Sequence, residues 1–124
     1  MSYGLGYYGD GAPTSIITRL DVINRAMRRI GVKAEDEALT ADQIASVGEV
    51  YDALIEELNT ELTLPFTGDV VPKRAFIPLA NLLAVEIGPD YGIPPFTTRG
   101  TAYGRLLAAL RPDDRPDVPA AEYF

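Results

Sequence analysis

Residues 76–89 read Phe-Ile-Pro-Leu-Ala-Asn-Leu-Leu-Ala-Val-Glu-Ile-Gly-Pro, and the fold turns on how this stretch is read. Phe76, Ile77, Leu79, Leu82, Leu83, Val85 and Ile87 make it apolar nearly all round at helical spacing. A helix that is greasy on every side belongs at the centre of a packed body. Gly88-Pro89 closes it, as a C-terminal glycine and a following proline do. Pro78 is harmless in a first turn but kinks a helix that has already begun, so the start lies between 72 and 78.

Companions for this helix stand on either side of it. Thr40, with Gln43 three residues on, has the spacing of a capping box. Ile44, Val47, Tyr51, Leu54 and Leu58 then recur at three, four, three and four. Leu64-Pro65 ends the run, since proline disfavours the helical region for its predecessor. The resulting second helix has about 23 residues and a length on the order of 34 Å. Upstream, a first helix opens at Ser15 or Thr18, carries Leu20, Ile23, Met27 and Ile30 inward, and stops at Gly31. Downstream, a fourth runs from Thr97 or Thr98 to Arg111, with Tyr103, Leu106, Leu107 and Leu110 inward and Pro112 as terminator. Val70 and Val71 make the stretch near 66–74 capable of a small hairpin or edge strand.

The two ends have neither periodicity. Residues 1–14 hold four glycines and three tyrosines, and residues 112–124 hold three prolines that block helix and central strand alike. The expected fold is therefore all-α: a four-helix body over 15–111 with a long central helix and little or no strand. A flexible Gly/Tyr-rich arm precedes it and an extended Pro-rich arm follows.

Composition excludes much chemistry. The chain of 124 residues has no cysteine and no histidine, which removes disulfides, thiol nucleophiles, Cys-ligated metals and the commonest general base. Ser15 and Ser46 thus have no histidine to activate them. Eighteen acidic against eleven basic side chains give a net charge of -7, which disfavours a DNA-neutralising face. Gly4 to Gly9 matches a dinucleotide fingerprint literally, but no strand can feed it. The acids at 35–37 lack spaced calcium ligands, and Glu56-Glu57 and Asp113-Asp114 are adjacent acids of the solvated kind. No apolar run reaches the roughly 20 residues of a membrane helix, and no signal segment opens the chain. The expectation is a protein without cofactor, metal or catalytic residue, made and kept in a cytoplasm-like space and not in a membrane.

Charge is segregated. Residues 34–72 carry ten acidic residues and no basic one, whereas Arg19, Arg25, Arg28, Arg29 and Lys33 crowd the first helix and its exit. These charges pair within one chain between the first two helices, or between like subunits. In the second case Arg25, Arg28 and Arg29 of one copy face Glu49, Asp52 and Glu56 of the next, a heterologous contact that closes into a ring. Tyr3, Tyr7 and Tyr8 suit an arm that lays its rings on a partner.

Four stretches carry a resemblance: Ile23 to Val32; Glu35 to Ala45; Tyr51 to Phe66 with its Leu58-Asn59 pair; and Val71-Pro72 to Ala84 with Pro89-Asp90-Tyr91-Gly92. Together they resemble the small head-to-tail adaptor proteins of tailed bacteriophages, also called connector, head completion or tail accessory factors. The resemblance spans about residues 18–111, and its motifs are packing and turn signals. Tryptophan, frequent near the end of that family's second helix, is replaced here by Thr60-Glu61-Leu62.

The resemblance implies a structural virion protein, commonly a ring of twelve copies. Its place would be beneath the portal at the capsid vertex, after synthesis in the host cytoplasm. The ring would extend the DNA channel, let DNA pass without sequence-specific binding, and offer a platform to tail or nozzle proteins. The C-terminal arm, with Pro112, Arg115, Pro116, Val118, Pro119, Tyr123 and Phe124, would reach the portal protein. The third helix is expected to carry more apolar surface than three companions cover, leaving a surplus for neighbouring copies. Two other functions fit the same residues: a carboxylate-based peptidoglycan hydrolase of the tail, and a small helical regulator that binds another protein through its third helix.

Overall fold

The computed structural model describes residues 16–34 and 36–111. Along them run strand β1 (Ile17–Thr18), helix α1 (Arg19–Arg29), helix α2 (Ala41–Glu61), strand β2 (Val70–Val71), helix α3 (Lys73–Ile87), a 3-10 turn (Gly88–Tyr91) and helix α4 (Arg99–Leu110). The fold is all-α with little strand, as the periodicities require.

Side chains that accept backbone N–H groups set the helix starts. Thr18 accepts from Asp21 N while Asp21 accepts from Thr18 N, and Thr40 and Gln43 exchange the same bonds at the head of α2. Thr98 accepts from Thr101 N to start α4. Exit from α1 is a Schellman turn: Gly31, at φ 79°, donates to Arg28 O while Val32 donates to Met27 O. The same pair of bonds closes the 3-10 turn around Gly92, at φ 70°.

Helix α3 lies at the centre and packs against α1, α2 and α4. Ala75, Leu79, Ala80, Leu82, Leu83, Ala84 and Ile87 are buried, each fully covered leucine or isoleucine contributing about 1.5–3 kcal/mol relative to exposure. Val22, Ile23, Ala26 and Met27 of α1, Val47, Tyr51, Leu54 and Leu58 of α2, and Ala102 and Leu106 of α4 complete the core. The helix begins at Lys73 and runs through Pro78, whose missing N–H leaves Arg74 O without its α-helical partner.

Several details depart from the sequence reading. Of the small hairpin and the edge strand open to residues 66–74, Val70–Val71 takes the strand, but its partner is distant: it pairs antiparallel with Ile17–Thr18, Ile17 opposite Val71 and Thr18 opposite Val70. Helix α2 has 21 residues and stops at Glu61, ahead of Leu64-Pro65. There the Asn59 side chain reaches forward to accept from Leu64 N at 3.1 Å, replacing further helical bonds. Leu20 and Leu107 point outward, because the covered stripes run through Val22, Ile23, Ala26, Met27 and Ile30 on α1 and through Ala102 and Leu106 on α4. Nor does α3 carry an apolar surplus: Ile77 is its one exposed large hydrophobic residue. Residues 1–15, Glu35 and 112–124 lie outside the described residues, and with them the Ser15 helix start and both arms.

Candidate functional site

Helix α1 has a covered side against α3 and an open one. Leu20, Asn24 and Arg28 succeed one another every four residues, so one line along α1 holds all three, and Ile16, just ahead of β1, lines the same groove. Across from this line stand Lys33, Asp36, Glu37, Ala38 and Leu39 of the connection to α2, Ile44 of α2 and Phe76 of α3, leaving a groove of about 700 Å³. Ile16 is 66% exposed and Leu20 44%, and both line this groove.

The groove walls are fixed by local hydrogen bonds. Lys33 is buried, with its Nζ donating to Ala34 O at 2.9 Å. Glu37 Oε1 accepts from Ala34 N at 2.9 Å, folding the connection back on itself. Asp21, at the groove edge, is engaged with Thr18 in the α1 cap. Arg28 Nε is buried and, among the described residues, has no hydrogen-bond partner; the same holds for Arg25 Nε. A groove with an apolar floor and an unmet guanidinium donor suits a protein segment that brings hydrocarbon and an acceptor together.

The charges assigned to subunit contacts fall on separate faces. Arg25, Arg28 and Arg29 form no ion pair among the described residues, and neither do Glu49 and Glu56, which stand exposed on α2. Asp52 is taken within the chain: Arg19 meets it through Nε at 3.0 Å and Nη2 at 3.1 Å, a bidentate pair between α1 and α2. That hydrogen bond, opposed by burial and aided by the Asp52 charge, holds the Arg19 guanidinium above its ordinary pKa. Gly48 lies against the same guanidinium, and a Cβ there would collide with it. Pairing within one chain thus occurs at Arg19–Asp52, while Arg29, Glu49 and Glu56 stand exposed and Arg25 and Arg28 half-buried.

Two contacts had no sequence forecast. Arg99, at the start of α4, donates to Glu86 Oε2 at 2.7 Å and to Glu57 Oε2 at 2.9 Å, tying α4 to α3 and α2. The bond to Glu86 raises the Arg99 pKa against the effect of burial. The separate bond to Glu57 takes that carboxylate out of the adjacent-acid pair with Glu56. Arg29 stacks its guanidinium carbon 3.7 Å from the Phe96 ring centre. Phe96 beside Pro94-Pro95, an aromatic shortly ahead of the α4 cap, was the one available signal.

Among the described residues, no three carboxylates come together to hold a metal ion. No helix there is long and apolar enough to cross a membrane. Asp36 and Glu37 stand exposed at the groove rim, while Tyr3, Tyr7, Tyr8, Pro112, Arg115, Pro116, Val118, Pro119, Tyr123 and Phe124 fall outside the described residues. No family model, characterised protein or solved structure matches the chain.

Proposed function

We propose that the chain is a structural adaptor of a tailed-phage virion: a ring of like copies between portal and tail that extends the DNA channel and offers the tail its platform. The observation that carries this reading is the groove along α1, where Ile16 and Leu20 stay uncovered beside an unmet Arg28 donor while the core behind them is closed. An apolar surface of this kind marks a contact with another protein. Two charge sets of opposite sign that make no ion pair among the described residues, Arg25, Arg28 and Arg29 against Glu49 and Glu56, support a contact that repeats from copy to copy. The net charge of -7 supports a channel that repels phosphate and lets DNA slide. The four stretches that resemble the adaptor family supply the rest of the reading, including the portal as upper partner and tail proteins below.

Native mass measurement tests it. The chain alone, and the chain mixed with isolated portal rings of the same phage, are compared by light scattering and negative-stain imaging. The expected result is a stoichiometric layer of chain on the portal rings. A chain that leaves portal rings bare at every ratio, and shows no self-association at any concentration, refutes the proposal.

A further inference from the structure

One concavity outside the groove has an electrostatic character opposite to that of the whole chain. Arg29 at the end of α1, Asn81 of α3, Phe96 and Thr97 ahead of α4, and Arg105 of α4 line a cleft of about 180 Å³. No carboxylate lines it, and among the described residues neither arginine makes an ion pair. Stacking on Phe96 holds the Arg29 guanidinium in place and leaves its edge donors for a planar anion. Asn81 Oδ1 is buried and has no donor among the described residues.

The cleft therefore calls for a carboxylate with an N–H donor beside it. A fully ionised inorganic anion such as sulfate brings no donor. A helix face brings carboxylates, but past the first turn its backbone N–H groups are already engaged. An extended acidic peptide brings both.

We propose that the cleft binds an extended acidic segment, and that its occupant is the 112–122 stretch of the same molecule. That stretch has Asp113, Asp114, Asp117 and Glu122 against the single Arg115. Prolines at 112, 116 and 119 deny it the helix that would consume its N–H groups. It also begins close by. Arg105 lies six residues before Arg111, about 9 Å back along α4. Asp117 lies six residues after Arg111, a reach of about 20 Å when extended. The chain can double back along α4 and set the Asp117 carboxylate between Arg105 and Arg29. The N–H of Asp117 or Val118 then meets Asn81 Oδ1, Pro116 and Pro119 having none. This contact does not depend on the chain's being an adaptor.

The test uses the intact chain. It has no cysteine, so Ala120→Cys provides a single attachment point for a nitroxide. In nitrogen-15 spectra, the Asn81 side-chain amide and the Thr97 and Ala102 backbone amides are expected to lose most of their intensity relative to a diamagnetic label. Intensity returns in the Arg29→Gln/Arg105→Gln variant, and in 1 M salt, where the screening length falls to about 3 Å. Both arginines are exposed, and unchanged peaks elsewhere verify that the variant is folded. Broadening seen only when nitroxide-labelled and isotope-labelled chains are mixed assigns the cleft to a second copy and overturns the intramolecular occupant. No broadening at the cleft, or broadening that survives the arginine substitutions, overturns the proposal altogether.

Discussion

Replacing Tyr51→Phe and following stability from pH 8 to pH 11 probes how the connection after α2 is fastened to the core. Tyr51 is fully buried, and its hydroxyl donates to Gly68 O at 2.8 Å. Burial, with smaller contributions from Asp52 and Asp69 and against the pull of Arg19, pushes its pKa up to about 12. The ordinary value is about 10, so the folded chain holds this proton more tightly than the unfolded chain does. The stability that goes with the neutral phenol is therefore complete below about pH 10 and is lost as pH climbs towards about 12. At pH 11, midway between the two, the loss is about 1.4 kcal/mol. The phenylalanine variant has no such proton. Its own cost is the Gly68 carbonyl left without a donor, about 1–2 kcal/mol at pH 8, equivalent to several degrees in Tm. Urea unfolding followed by circular dichroism at pH 8, 9, 10 and 11 reads both quantities. The wild-type advantage should shrink with pH and vanish near pH 11. A gap that stays constant across the series refutes the sequestered hydroxyl, since only a phenol open to water titrates alike in both states.

Three further outcomes follow from the same structure. Leu20→Asp places a charge in the α1 groove at a 44% exposed position, so stability should change by less than about 0.5 kcal/mol while binding to portal rings, read by sedimentation, is lost. Gly31→Ala forces a side chain into the left-handed region at φ 79° with no compensating contact, which should cost about 1 kcal/mol in thermal unfolding and leave the other helices intact. Arg99→Ala removes two partly exposed ion pairs, so the loss should be about 1 kcal/mol in dilute buffer and smaller in 1 M salt, measured by denaturant titration at both.

Local chemistry was legible in the chain, and contacts between distant segments were not. Thr18-Asp21 and Thr40-Gln43 are separated by three residues, and Gly31 needs only its neighbours, so each could be read directly and each occurs. The Ile17–Val71 pairing joins residues 54 apart through strands of two residues each, too short to show any alternation. Leu20 misled because a three-four-three spacing fits a stripe, whereas the partner helix decides which of two adjacent stripes is covered. The charge pattern pointed rightly to α1 and α2 as carriers of opposite charge, yet it could not tell that Arg19 would take Asp52 while Arg29 turned to Phe96. Of the two concavities, the groove draws on Leu20 and Arg28, which sequence had noticed for other reasons. The cleft draws on Asn81, Phe96 and Arg105, which only packing brings together.

The antiparallel ladder of Ile17–Thr18 with Val70–Val71 bears on how force would travel through the molecule. Thr18 is the residue that opens α1, and Val71 is followed directly by Pro72, which opens α3. Tension applied to the chain ahead of Ile16 meets this small clasp before it meets any helix. While the clasp holds, the pull passes sideways into the central helix; once its few bonds part, the strain falls on α1 alone. A tether gripped by a moving partner would thus yield first at a fastening that can reclose, leaving the helices in register.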